Sequence, residues 1–421
     1  LTTAIRTHLK YFLFETSSGD LAPYFATVAN ITTKDQGRGI IIGNERVLRA
    51  RLSDACFFWD KDRETTLASR IPALSEITFH DKLGSLTGKV DRMQKLAILL
   101  TPHFSKAKAS EIENAIRLCK TDLVTQMVGE FPELQGKMGQ YYALNDGESD
   151  EVAEAIANHY RPYGRGDTCP SKPVSIIVGL ADRLDTLAGF WAIDDKPTGS
   201  KDPYALRRAA LGVIRLIVEN ELRVPLRPVV VAALEAQDLN CESVPVAHDL
   251  LNFFIDRLKV HLREKGIRHE FIAAIFALGD EDDLVRLLRR VDALAEFVDS
   301  DDGGNLLVAF NRAANILKIE EKKDGREFSA EIDVSVFVQD EEKELAAALV
   351  KAREDTDAAL TREDYVSAMH AMAALRTPVD NFFNNVTVNA KDATLRINRL
   401  KLLSGIRQTT RAVADFSQIG G

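Results

Sequence analysis

From about residue 76 almost to its end, this chain is a succession of segments whose apolar residues recur at i, i+3, i+4 and i+7. "KVDRMQKLAILL", "SEIENAIRLCKTDLVTQMVGEF", "DEVAEAIANHY", "PVSIIVGLADRLDTLAGFWAI" and "DPYALRRAALGVIRLIVENEL" all carry that period. Each such stripe must be buried against another helix, so the pattern predicts a mainly α fold. Pro170 and Pro173 precede the fourth segment, and Asp202-Pro203 reads as an N-cap and first helical position for the fifth. The proline-rich "RVPLRPVV" and then "EAQDLNCESVP" predict a boundary near 225 to 245. Further helical segments follow to "ATLRINRLKLLSGIRQTTRAVADF", interrupted by the charged "KIEEKKDGREFSAEID", which reads as a flexible linker.

Residues 1 to 75 break the pattern. "KYFLFET" and "PYFATVANI" are rich in aromatic and β-branched residues, as strands are. Gly43-Asn44 is a turn signal, followed by a helix with Val47, Leu48, Leu52, Ala55 and Cys56 at helical spacing. Arg46, Arg49 and Arg51 fan around that helix and read as a solvated, salt-bridged face. With 421 residues, two to four domains are expected. The expected division is multidomain: a small α+β region at 1–75, a helical domain at 76–235, a helical body at 236–308 and a helical domain at 309–421.

Composition narrows the function. Hydrophobic residues make up 45% and charged residues 28%, the balance of a soluble globular protein. No apolar run reaches the ~18 residues that a membrane span needs, and "LTTAIRTHLKYF" has no leader layout; a start at Leu1 reads as a fragment or a processed chain. Cys56, Cys119, Cys169 and Cys241 include no CxxC pair, which argues against a zinc ribbon and for a reducing, cytoplasmic setting. The net charge of -9 disfavours indiscriminate nucleic-acid binding and still leaves room for a local basic surface.

"TFHDKLG" contains His80-Asp81, the pair that names a superfamily of metal-dependent phosphohydrolases. A site of that type resembles a helical bundle with an early His, the His-Asp pair and a late Asp as ligands. "GLADRLDTL" resembles its final helix, with Asp182 as the late ligand. The pair should then fall in "LCKTDLV", where Asp122 is present and Thr121 stands in place of His. Lys89 stands where the early His belongs, and a protonated lysine has no lone pair for a metal. His80-Asp81 precedes the first helix of the set. The eight histidines show no HxxxH or HxH pair. The bundle is expected and the metal is not; a nucleotide phosphohydrolase remains the rival reading.

Longer strings are more specific. "IIGNERVLRARLSDACFFWDKD", "KLGSLTGKVDRMQKLA", "TDLVTQMVGEFPELQGKMGQYYALNDGE", "PTGSKDPYALRRAALGVIRLIVE", "FNRAANILK" and "PVDNFFNNVTVNAKDATLRINRLKLLSGI" resemble, in order, the beta subunit of bacterial-type glycyl-tRNA synthetase. The resemblance implies a chain like the C-terminal three-fifths of that subunit, with a degenerate His-Asp-type domain and a C-terminal DALR-like anticodon-binding domain. It implies a ligase subunit with no complete active site of its own. A separate alpha subunit, in an alpha2/beta2 heterotetramer, would use ATP with Mg and glycine, while this chain would hold glycine tRNA; no cofactor and no membrane contact are implied for it.

Charge supports RNA contact near the C-terminus. Arg376, Lys391, Arg396, Arg399, Lys401, Arg407 and Arg411 stand against Asp380 and Asp392. Arg396, Arg399 and Arg407 share roughly one helix face. Asn398 could read a base edge, and Phe382 or Phe383 could stack on a base; the bland alternatives are core packing for the phenylalanines and an interhelical salt bridge for Arg399. A second candidate is Lys201, Arg207 and Arg208 at a helix N-terminal turn, where backbone N–H groups favour phosphate. Gly136 and Gly139 could allow a close approach beside Tyr141 and Tyr142.

Overall fold

A computed structural model of the chain describes residue 2 and residues 5–104, 107–164, 166–279, 281–329 and 331–419. The chain forms two compact units, residues 1–222 with 226–253, and residues 223–225 with 254–421. These divisions bracket the boundary expected near 225 to 245.

The first unit opens with an antiparallel hairpin of β1 (Phe12–Glu15) and β2 (Leu21–Ala26), with Phe12 opposite Ala26 and Glu15 opposite Leu21. Helix α1 (Arg38–Asp62) follows and runs straight through the expected turn at Gly43-Asn44. The Asn44 side chain explains the difference: its amide donates to the Ile40 carbonyl one turn back, and its oxygen accepts from the Tyr11 hydroxyl. A residue that usually favours turns is thereby engaged within the helix. His80-Asp81 lies at a small hairpin of β3 (Thr78–His80) and β4 (Gly84–Ser85).

The helices that follow are α2 (Leu86–Leu100), α3 (Ala109–Leu118), α4 (Gln126–Glu130), α5 (Lys137–Asn145), α6 (Asp150–Asn158), α7 (Pro173–Ala192), α8 (Leu206–Glu219) and α9 (Leu226–Glu235). Helix α7 is the hub, packed against α2, α3, α6, α8 and α9. Sixteen of its 20 residues are buried, as expected of a helix apolar on all sides. Its polar members, Asp182, Arg183 and Asp185, therefore need partners within the protein. "RPVV", expected at a boundary, lies in α9, with Pro228 in the first turn, where the missing N–H costs least.

Helix α10 (Ser243–Glu264) contains the division between the units. The second unit holds α11 (His269–Phe276), α12 (Leu284–Asp299), α13 (Asp301–Asp324), α14 (Asp340–Thr361), α15 (Tyr365–Ala373), α16 (Arg376–Asn385) and α17 (Ala393–Arg411). Helix α17 packs on α13 and α14, with Leu400, Leu402, Leu403 and Ile406 fully buried. The first seven residues of the charged stretch expected as a linker are instead helix. Residues 318–324 complete α13, which ends on Gly325 in the left-handed conformation. Its acids Glu320, Glu321 and Asp324 are held by arginines of α17, so the charge stabilises the helix. Among the described residues, no helix is long and apolar enough to cross a membrane.

Candidate functional site

Two polar constellations stand out, one in each unit. In the first, α2 and α7 face each other with complementary pairs, Lys89 and Arg92 against Asp182 and Asp185. The Lys89 ammonium donates to Asp185 Oδ2 at 3.0 Å and Thr186 Oγ1 at 2.8 Å, and lies 3.1 Å from Asp182 Oδ1. Arg92 Nε donates to Asp185 Oδ1 at 2.6 Å, and the Gln237 amide donates to the same oxygen at 3.0 Å. Lys120, just after α3, donates to Asp182 Oδ2 at 3.2 Å and lies 2.9 Å from His159 Nε2.

Burial alone would raise the Asp182 carboxyl, but the Lys120 and Lys89 ammonium groups overturn that and hold it well below the ordinary range. Burial, reinforced by Lys120, pushes His159 well below the usual histidine range. Its neutral ring fits the geometry: Nδ1, 2.7 Å from the Ile156 carbonyl, carries the hydrogen, and Nε2 accepts from Lys120.

These residues do not fit a divalent cation. Two ammonium groups occupy the position between the helices, and an ammonium can only donate. Thr121 is fully buried and gives its hydroxyl to the Leu118 carbonyl. Asp122 points elsewhere: Oδ2 accepts the backbone N–H groups of Gly136 and Gly139, so it caps the start of α5. Burial raises its carboxyl to about 6 despite those two donors. The close approach read at Gly136 and Gly139 is thus an internal one. A Cβ on Gly139 would lie 2.6 Å from Ile156 and 3.0 Å from Asp122. Tyr142 donates to Asp62 at 2.9 Å within the core, while Tyr141 stays 45% exposed.

In the second unit, α17 departs from the outward face expected of it. Arg399 is buried: Nε donates to Glu342 at 2.7 Å, and the other nitrogens reach the Thr387 carbonyl and Gln339. Asn398 is also buried, and both ends of its amide bind the Asp333 backbone at 2.9 Å. The expectation of a base-reading Asn398 beside an outward Arg399 is corrected, because both side chains brace the segment before α14. Arg396 is paired with Glu320 and Asp324. Arg407 forms a fork on Glu321 at 3.0 and 3.1 Å, and Lys401 donates to the Glu331 carbonyl. Arg396, Lys401 and Arg407 keep partial exposure. Phe382 is core, whereas half-buried Phe383 has the Arg312 guanidinium 4.4 Å above its ring.

The turn before α8 is corrected as well. The helix begins at Leu206, three residues beyond Pro203, and Asp202 accepts the N–H groups of Leu206 and Arg207. The donors proposed for phosphate are already taken by a carboxylate. Arg207 donates to the Gly199 carbonyl, and Lys201 and Arg208 are exposed.

Sequence reasoning missed Lys120, His159, Arg92 and Asp185. A signal was available: Lys-x-x-Arg in α2 and Asp-x-x-Asp in α7 are matched i,i+3 pairs on helices that must both turn inward. His159 left none, because its partner is 39 residues away.

Comparison with known proteins places these features. The family model described as glycyl-tRNA synthetase beta subunit matches residues 1–277, and the one described as DALR anticodon binding domain matches residues 306–416. Over its whole length the chain is 55% identical to the glycine–tRNA ligase beta subunit of Rhodospirillum centenum. It is 48% identical to those of Cereibacter sphaeroides and Paracoccus denitrificans. It spans 59% of the first of these proteins and 61% of the other two. The chain belongs to the glycyl-tRNA synthetase beta subunit family.

Proposed function

We propose that this chain is the tRNA-holding part of a glycine–tRNA ligase beta subunit, supporting ATP-dependent glycylation of glycine tRNA in the cytoplasm by a separate alpha subunit in an alpha2/beta2 assembly. The observation that carries the reading is the succession, in one chain, of a beta-subunit match and an anticodon-binding match. ATP, its Mg and glycine belong to the alpha subunit in this reading. The first unit's bundle is a degenerate His-Asp-type domain, in which lysines replaced ligands and hydrolysis was lost. In the second unit, the side chains available to RNA are Arg396, Lys401 and Arg407, with Phe383 under Arg312 as a stacking plane. Asn398 and Arg399 support them from beneath.

The test is a titration of the purified chain with labelled glycine tRNA and a non-cognate tRNA, alongside glycine-dependent ATP–pyrophosphate exchange. Preferential binding of glycine tRNA with no exchange by the chain alone is expected. Exchange without alpha subunit, or equal affinity for both tRNAs, would overturn the reading.

A further inference from the structure

Arg38, Ile42, Arg46, Arg49, Ser53 and Cys56 follow one another along α1 at steps of three and four, so they form one stripe. All six are exposed. At about 1.5 Å rise per residue, Arg38 and Arg49 lie about 16 Å apart along it. One turn beyond Ser53, Phe57 leaves 61% of its surface in solvent. The sequence predicted salt bridges for this helix, and Arg51, off the stripe, does pair with Glu130 at 2.6 Å. Among the described residues, Arg38, Arg46 and Arg49 have no carboxylate partner. Glu45 flanks the stripe without pairing to them, and Asp35 below it turns its carboxylate to the N–H groups of Gly37 and Gly39.

The contrast with α17 is informative. There Arg396, Arg399 and Arg407 are each matched by an acid. On α1, three guanidinium groups share one face, unmatched, in a chain of net charge -9. Their fork of N–H donors suits phosphate oxygens, and cations flanking an exposed ring are the usual makings of a nucleic-acid surface.

We propose that this stripe of α1 is a second RNA-contacting surface, which binds the phosphate backbone of tRNA through Arg38, Arg46 and Arg49 and packs a sugar or base on Phe57. The proposal rests on the tRNA-binding reading above. It concerns the first unit, outside the matched anticodon-binding region.

Two measurements on the full chain test it. The first is glycine tRNA affinity over a potassium chloride series for the wild type and for a variant carrying Arg38→Gln, Arg46→Gln and Arg49→Gln, glutamine being nearly as good a helix former. The salt slope should fall by about two to three ions and affinity by roughly ten- to hundredfold. The second is alkylation of Cys56, the exposed cysteine on the stripe. Saturating tRNA should slow it in the wild type, a result independent of whether the variant folds. A wild type that binds tRNA while Cys56 reacts at an unchanged rate, or a folded variant with an unchanged slope, overturns the proposal and leaves the tRNA-binding reading standing. A wild type that binds no tRNA overturns both. Unchanged tRNA binding with lost capture of purified alpha subunit overturns it in favour of a protein interface.

Discussion

Arg399 of α17 and Glu342 of α14 form an ion pair inside the second unit, 2.7 Å from Nε to Oε1, with the glutamate side chain fully shielded. The other oxygen of Glu342 accepts the N–H groups of Val338 and Gln339, so one carboxylate caps α14 and anchors α17 at once. Arg399→Ala leaves that carboxylate buried with no cation, a change that costs about 3–5 kcal/mol. Denaturant unfolding should show this loss, with tRNA affinity of the folded fraction nearly unchanged. An unchanged midpoint with a large loss of affinity would return Arg399 to the RNA-facing set.

Arg396→Ala should behave differently. Arg396 is only partly buried, and its partners Glu320 and Asp324 lie at the end of α13. Their carboxyls are held below the ordinary range, chiefly by hydrogen bonds from this arginine. Loss of the pair should cost about 1–3 kcal/mol, because Glu320 is buried but keeps its hydrogen bond from Asn389. A stability loss as large as that of Arg399→Ala would show the two arginines to be structurally equivalent.

The helices of both units were legible because apolar period and caps act locally. What misled was the meaning of charge. "KIEEKKD" reads as a solvated linker until Arg396 and Arg407 are known to lie across from it, and those partners are more than 70 residues away. Arg399 and Asn398 sit on a helix whose period placed them plausibly outward, yet both are buried. A polar residue on a buried face is visible in sequence only when its partner is local. Lys89 reads as a non-ligand from chemistry alone, since an ammonium has no lone pair to offer. Asp202-Pro203 reads as an N-cap and first helical residue, yet the left-handed Ala205 is the N-cap, and the Asp202 carboxylate reaches forward to the N–H groups of Leu206 and Arg207.

The cluster between α2 and α7 should be indifferent to metal and sensitive to its lysines. Dialysis against a chelator should leave the unfolding midpoint of the chain unchanged. Lys89→Met, similar in length but uncharged, leaves Asp182 to Lys120 and Asp185 to Arg92 and Gln237, and should cost about 1–3 kcal/mol. A midpoint that falls on chelation and recovers with added Mn would refute the argument that the lysines exclude a cation.

Gly139→Ala tests the cap on α5. The added methyl would meet Ile156 at 2.6 Å and crowd the carboxylate of Asp122. Overpacking of this kind typically costs about 1–3 kcal/mol. Asp122→Asn keeps the shape and an oxygen for the two backbone donors, and because burial of the charge outweighs those donors it should not lower stability at pH 7. No loss in Gly139→Ala would mean that α6 can shift to make room.

The last prediction concerns pH, where two buried groups oppose each other. His159 stays neutral in the folded state, and the unfolded chain takes up its proton below about 6.5. The unfolded state then binds more protons, so His159 removes stability as pH falls through that value, by up to about 1.4 kcal/mol per pH unit. Asp122, raised to about 6, acts in the other direction. It takes up a proton in the folded state before the unfolded chain does, and so adds stability as pH falls from about 6 towards 4. The wild-type curve is their sum and assigns neither. His159→Gln separates them: its side-chain oxygen can still accept from Lys120, and it does not titrate. Urea unfolding of both proteins between pH 7.5 and pH 5 should show the difference between them widening steadily below about pH 6.5, with the variant gaining relative to the wild type. Parallel curves would mean that His159 is protonated in the folded state, and Lys120 would then have to be neutral or displaced from its nitrogen.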